Sequence, residues 1–252
     1  MKSSFLKSLL AVGAVFMLIA CGSSSSSSDT PSNGGGNGDG PSSELPANVQ
    51  DAIAGPMSTL TQDLKDSITY MYSEEGLAYD VYMNIYKIQA VQQLQKIAQN
   101  AEIKHIDAVN GLAIKYDLNM TQYPDTDVPY SIKNVGNGNY PVDTVQYLYN
   151  LLYSKGIQSE KDALEVGCMV EVVDIDDLNK YIGFANTSSA GDVLTVFNYL
   201  REGSYSHYWA FDEGLKNRGV SDGCCSLEPA LGHNFCHPEY PQKEKGGKGK
   251  GK

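Results

Sequence analysis

The sequence is short of positive charge and of the loops that bind phosphate groups. Its 252 residues include 30 acidic and 19 basic side chains, which gives a formal net charge of −11. Proteins that bind nucleic acids need a cationic surface, so this balance argues against that class. The chain also has no phosphate-binding loop, nucleophile elbow or dinucleotide-binding fingerprint, since Gly136 and Gly138 lie in a loop that no strand precedes. These shortages exclude nucleotide-dependent and nucleic-acid chemistry as first choices.

The N-terminal apolar run, residues 9–20, is too short to be a confident membrane span. Lys2 and Lys7 precede it, and this arrangement predicts a secretory signal peptide over residues 1–20. The run ends in Leu-Ile-Ala-Cys21, which resembles the lipobox of bacterial lipoproteins. That resemblance implies that Cys21 is lipidated and anchors the chain in the bacterial cell envelope, at the outer membrane, the cell surface or the periplasmic side. An ordinary signal peptide with a chance cysteine is the alternative.

Composition divides the rest of the chain into three parts. Residues 21–50 are mainly Ser, Gly, Asn and Pro, so they cannot bury enough apolar surface to offset the entropy of ordering, and we expect a flexible tether. Residues 51–220 hold the apolar content that a folded core requires. Residues 221–252 form an extension with cysteines and a Lys/Gly tail.

Strand patterns are scarce in residues 51–220, whereas apolar side chains recur at spacings of three and four. Long helices are predicted over about 60–87 and 91–116, after a Ser159 cap, and from near Ala190. A short amphipathic helix is predicted between Val142 and Tyr153. The pattern therefore predicts an all-α four-helix bundle with one long crossover that contains a short extra helix.

Each long helix has an ionisable side chain where its apolar period requires an interior residue. These side chains are, in chain order, Glu75, Glu102 with His105, Glu171, and His207. A buried Glu or His is costly unless it is paired or bound to a cation, so we expect the four helices to project these groups into one polar centre. Several carboxylates with two imidazoles suit a pair of iron or manganese ions. The Glu102-x-x-His105 spacing places both side chains on one helix face, where they can hold the same ion.

Four segments of this region resemble the ferritin-like family catalogued as domain of unknown function 2202. They are residues 71–82 (MYSEEGLAYDVY), 101–109 (AEIKHIDAV), 166–178 (VGCMVEVVDIDDL) and 203–211 (GSYSHYWAF). The resemblance implies a ferritin-like bundle similar to the rubrerythrins, with an iron cofactor as a di-iron or a single-iron centre, or with manganese.

The resemblance also implies a ligand set. It gives Glu75 from the first helix, Glu102 and His105 from the second, Glu171 from the third and His207 from the fourth. Ser204 departs from the pattern, because the family of di-iron proteins has a Glu at that place. Asp174 lies three residues after Glu171 and is a candidate to compensate. Glu74 competes with Glu75, although its helical position falls about 100 degrees from the apolar stripe.

The cysteines other than Cys21 allow two interpretations. Cys168 lies on a helix stripe and is most simply a small buried apolar residue. Export favours a disulfide between Cys236 and either Cys224 or Cys225. A second metal site formed by the three C-terminal cysteines with His233 and His237 is the alternative, although this spacing matches no established zinc pattern.

Two functions compete at this point. The first is an envelope-anchored oxidoreductase of ferroxidase or peroxidase type that binds iron. The second is a non-catalytic metal carrier or surface-binding module with a degenerate di-metal site, a reading that Ser204 favours. The expected partners are metal ions, a membrane reached through the lipid anchor and, as an open alternative, a second copy of the chain in a homodimer; nucleic acid is not expected.

Overall fold

A computed structural model of the protein describes residues 44–119, 137–140 and 143–242. These residues form an all-helical bundle without a named strand, and the all-α prediction is confirmed. The helices are α1 (Ala47–Ala54), α2 (Gln62–Gln89), α3 (Gln92–Ile97), α4 (Ile103–Lys115), α5 (Asp143–Gly156), α6 (Glu160–Thr187) and α7 (Gly191–Lys216). No described helix has an apolar stretch long enough to cross a bilayer. Cys21, the signal peptide and most of the tether lie outside the described residues.

Local sequence explains where the long helices begin. The Thr61 hydroxyl accepts a hydrogen bond from the backbone N–H of Leu64 at the start of α2. At the start of α6 the Ser159 hydroxyl accepts from the N–H of Asp162 at 3.0 Å, as the sequence predicts. Helix α1 begins four residues before the expected start of the folded region at Asp51 and packs against α4 and α7.

The second long helix of the sequence prediction is interrupted. A π-helical turn over Ala98–Glu102 joins α3 to α4, and it ends at one of the predicted site residues. Each π turn accommodates one extra residue and rotates whatever follows relative to what precedes it. The turn therefore sets the direction in which Glu102 and the first turn of α4 project.

The apolar stripes predicted for the four long helices form the core. The stripe of α2 contributes Ile68, Met71, Ala78, Tyr82 and Ile85, and every one of these side chains is buried. Helices α6 and α7 pack along each other, while α2 packs against both α4 and α6. Helix α5 covers α2 and α6, which agrees with the short extra helix expected in the crossover. This arrangement puts α2, α4, α6 and α7 around one interior.

Two disulfides attach the C-terminal extension to the bundle and correct the prediction for the cysteines. Cys168 of α6 is bonded to Cys224, so it is not a free buried thiol. Cys225 is bonded to Cys236, which is one of the two pairings left open. All three C-terminal cysteines are therefore oxidised, and the proposed second metal site that needs their thiolates is wrong. The sequence could not show this pairing, because Cys168 is distant from Cys224 along the chain and only the folded bundle brings the two together.

Candidate metal centre

Five of the six predicted ligands meet inside the bundle. Glu75 comes from α2, Glu102 from the end of the π turn, His105 from the first turn of α4, Glu171 from α6 and His207 from α7. All five side chains are buried. They form two groups with the spacing that metal ligands require, and within each group the ligand atoms lie within 4.8 Å of one another.

The first triad consists of Glu75, Glu102 and His105. Nδ1 of His105 lies 3.1 Å from Oε2 of Glu75 and 3.1 Å from Oε2 of Glu102. The ring of Tyr199 meets the imidazole edge to face, with 5.5 Å between the ring centroids. The imidazole is therefore fixed with one nitrogen toward both carboxylates.

The second triad consists of Glu102, Glu171 and His207. Nδ1 of His207 lies 3.1 Å from Oε1 of Glu102 and 3.3 Å from Oε2 of Glu171. The other oxygen of Glu171 accepts a hydrogen bond of 2.6 Å from the hydroxyl of Tyr82. Tyr82 thus orients Glu171 from outside the triad, as a second layer of ligand support does at metal sites.

Glu102 belongs to both triads, and its two oxygens face different histidines. Oε2 lies beside His105 and Oε1 lies beside His207. The two imidazole rings are nearly parallel, with 5.5 Å between their centroids and an angle of 29°. A carboxylate placed in this way has the geometry of a bridge between two cations.

Several buried ligand atoms in the triads lack an aligned hydrogen bond. Oε1 of Glu75, Oε1 of Glu102 and Nδ1 of His207 have no hydrogen-bond partner among the described residues, although the last two atoms are 3.1 Å apart. Buried polar groups are ordinarily satisfied, and unsatisfied ones carry a free-energy cost of about 1–3 kcal/mol. A bound cation would satisfy the two carboxylate oxygens, and neutral imidazole nitrogen is also a metal ligand. The donor set therefore fits a pair of borderline divalent metal ions.

The charges of the triads act strongly on one another. Burial, and then the negative charges of Asp174 and Glu102, raise the pKa of Glu75 well above its usual value. Burial acts in the same direction on Glu102, but His207 and His105 outweigh it and lower the pKa of that carboxyl. Burial lowers the pKa of His207, but Glu171 and Glu102 outweigh it and raise the pKa to about 10. The neighbouring carboxylates thus favour the charged form of His207, and the two histidines favour the charged form of Glu102.

Asp174, the sixth predicted ligand, lies outside both triads. Its Oδ2 accepts a hydrogen bond of 2.5 Å from the hydroxyl of Ser204, and its Oδ1 is buried without a hydrogen-bond partner among the described residues. Burial, followed by the charge of Glu171, raises the pKa of Asp174 to about 8. Ser204 of α7 therefore holds a carboxylate that comes from the neighbouring helix α6.

Sequence reasoning missed the contribution of Gly203. This residue of α7 faces His105, and a Cβ atom at this position would lie 2.4 Å from Nε2 of the imidazole. Only glycine leaves room for that ring. The signal in the sequence was a glycine on an otherwise apolar stripe one turn before His207. The choice of Glu75 over Glu74 agrees with the geometry, because Glu75 and not Glu74 belongs to the first triad.

The fold and this site define the class: an all-α bundle protein with two buried carboxylate–histidine triads that share a glutamate. Residues 64–227 match the family model described as "Uncharacterized protein domain (DUF2202)", and the chain belongs to that family. A curated relative, "Uncharacterized protein MJ0754" of Methanocaldococcus jannaschii, is 35% identical over 164 residues, which cover 65% of this chain and 81% of the relative.

A solved structure gives the same relationship. The chain is similar to the crystal structure of hypothetical protein MJ0754 from Methanococcus jannaschii, with a TM-score of 0.57 and 35% identity. The match covers 66% of this chain and 86% of the solved one. The family and its bundle are thereby established.

Proposed function

We propose that this protein binds two metal ions at the two triads, with iron preferred to manganese. We further propose that it acts in iron oxidation or in the reduction of oxygen or peroxide. The observation that carries the proposal is the position of Glu102, whose two oxygens each lie 3.1 Å from a different histidine. The resemblance to ferritin-like di-iron proteins supports the same assignment.

Each residue has a distinct part in this proposal. Glu75 and His105 hold one ion, Glu171 and His207 hold the other, and Glu102 bridges them. Bound Fe(II) would supply the electrons, oxygen or peroxide would accept them, and the metal ions would polarise that oxygen substrate. Tyr82 fixes Glu171, Ser204 fixes Asp174, and the apolar stripes around the triads exclude bulk water.

Location is part of the proposal. We propose an envelope-anchored protein, lipidated at Cys21 and joined to its bundle by the Ser/Gly-rich tether. The two disulfides support export, because stable disulfides are typical of oxidising compartments outside the cytosol.

The test is anaerobic titration of the purified protein with Fe(II), followed by metal analysis. Two ions per chain are expected, and Glu102→Ala should abolish both, whereas the control Glu202→Gln on the exposed face of α7 should retain both. Oxidation of the bound iron by oxygen or peroxide, followed by optical absorption, tests the redox part. Absence of iron uptake by a folded protein would reject the proposal.

A second candidate is a metal carrier without turnover. Ser204 favours it, because a serine in place of a bridging carboxylate removes one metal ligand, and its hydroxyl is hydrogen-bonded to Asp174. Under this alternative the protein takes up metal at the triads but neither oxygen nor peroxide is consumed. The anaerobic titration gives metal uptake under both candidates, so the oxidation assay with oxygen or peroxide is the measurement that separates them.

A further inference from the structure

Helices α2 and α6 run antiparallel along a seam that leads away from the triads. At the inner end Tyr82 of α2 contacts Glu171 of α6. At the outer end the rings of Tyr70 and Tyr181 pack edge to face, with 5.9 Å between their centroids. Because the two helices are antiparallel, the position one turn after Tyr70 on α2 lies opposite the position one turn before Tyr181 on α6. Glu74 therefore lies opposite Asp177.

Carboxylates line the seam between these two ends. Asp177, one turn before Tyr181, is hydrogen-bonded to Tyr70 and half-buried. Glu74 is half-buried opposite to it, and Asp174 lies one turn further in, beside Glu171. The innermost member is Glu75 of the first triad. Carboxyl groups thus continue from the half-exposed edge of the bundle to the first triad.

Three carboxylate oxygens along the seam are buried without a hydrogen-bond partner among the described residues. They are Oε2 of Glu74, Oδ1 of Asp174 and Oε1 of Glu75. Asp174 is only 5% exposed and Glu75 only 2%. Such oxygens are costly to bury unless a donor or a cation reaches them. The hydroxyl of Ser204 occupies Oδ2 of Asp174 and leaves Oδ1 available.

Basic side chains lie at the outer end of the seam. Lys180 is exposed, and its Nζ lies 5.1 Å from the centroid of the Tyr181 ring. His233 adds a second basic group there, with its Nδ1 2.7 Å from Oδ2 of Asp176.

We propose that Glu74, Asp174 and Asp177 form a transit site through which a divalent cation passes from the protein surface to the first triad. The triads are buried, so a hydrated ion needs oxygen ligands along its path to replace its water molecules one by one. Asp177 receives the ion at the edge, Glu74 and Asp174 carry it inward, and Glu75 takes it into the first triad. This inference rests on the proposed function, because it presumes that the triads bind metal.

The test is the rate at which the full chain loads Co(II), followed by stopped-flow visible absorption. Glu74→Gln with Asp177→Asn should slow loading roughly tenfold, since focused negative charge raises the local concentration of a cation. The final Co(II) content should equal that of the wild type. The control is Glu202→Gln with Asp107→Asn, which removes the same charge from exposed positions on α7 and α4. Lys180→Gln should accelerate loading.

The outcomes separate the two proposals. Equal loading rates in the seam variant and the control variant would overturn the transit site and leave the triads intact. Loading that is unchanged or slower in Lys180→Gln would also overturn it. If the wild type binds no Co(II), the proposed function itself fails. Should the double variant not fold, Asp177→Asn alone, at the half-exposed end, is measured with Lys180→Gln.

Discussion

Gly203 lies directly against the imidazole of His105, so that the backbone of α7 forms one wall of the first triad. A Cβ atom at position 203 would be 2.4 Å from Nε2, a distance that forces the ring to move. This contact joins a glycine of the α7 stripe to a candidate ligand on another helix.

Gly203→Ala should therefore displace His105 and weaken the first triad while it leaves the second triad intact. We expect one metal ion to be retained and the affinity for the other to fall about 10- to 100-fold, as is typical when a ligand loses its support. Isothermal titration with Co(II) measures both sites. The matched control is Gly183→Ala on α6, where an added Cβ meets no atom within 4 Å. Equal losses in the two variants would contradict this interpretation.

Tyr82→Phe should destabilise the metal-free protein. The substitution removes the donor to Oε1 of Glu171 and leaves a buried carboxylate oxygen without a partner. The expected loss in free energy of unfolding is about 1–3 kcal/mol, measured by urea denaturation with chelator present. Tyr79→Phe, one turn before it on α2 and only half-buried, is the control. If both variants unfold at the same urea concentration, the hydrogen bond from Tyr82 to Glu171 does not make the expected contribution to stability.

Asp192 should make the stability of the fold depend on pH in the acidic range. It accepts hydrogen bonds from Lys115 at 2.6 Å and from Ser58 at 2.7 Å, and Tyr116 also donates to it. Burial raises the pKa of Asp192, but Lys115, Tyr116 and Ser58 outweigh it and lower the pKa from the usual 3.8 to about 2. The carboxylate therefore stabilises the fold fully above the unfolded-state pKa, and this contribution is lost as the pH falls through the folded-state pKa.

Asp192→Asn should lower the free energy of unfolding by roughly 2 kcal/mol at pH 7, with a difference from wild type that shrinks toward pH 2. Urea denaturation at several pH values measures this. Asp51→Asn, an exposed position on α1, should show no such trend. A difference that stays constant down to pH 2 would rule out the carboxylate as its source.

The two disulfides should differ in their contribution to stability. The Cys168–Cys224 bond spans a sequence separation of 56 and the Cys225–Cys236 bond one of 11. A longer closed loop restricts the unfolded chain more, so removing the first bond should cost about 1.4 kcal/mol more than removing the second. Paired Cys→Ala variants of each bond, compared by thermal and urea unfolding, provide the measurement. The reverse order would show that packing of the extension, rather than loop closure, dominates.

The sequence predicted the parts of the site that depend on a single helix. Glu102 and His105 could be found because three residues of α-helix separate them, and Glu75, Glu171 and His207 because each interrupts an apolar stripe. Contacts between helices could not be read in this way. The room that Gly203 leaves for His105, the hydrogen bond from Ser204 to Asp174 and the pairing of Cys168 with Cys224 all depend on how separate helices approach each other.

The π turn over Ala98–Glu102 is equivalent to a one-residue insertion in a helix, and it divides this helix into two rotational phases. Leu94 keeps its apolar contacts in the first phase, while His105 faces the triads in the second. Removing one residue from the turn would merge the phases and rotate His105 by about 100 degrees about the helix axis. The ligand face of this helix is thus set by chain length as well as by residue identity, and a deletion that changes no ligand could still erase the site.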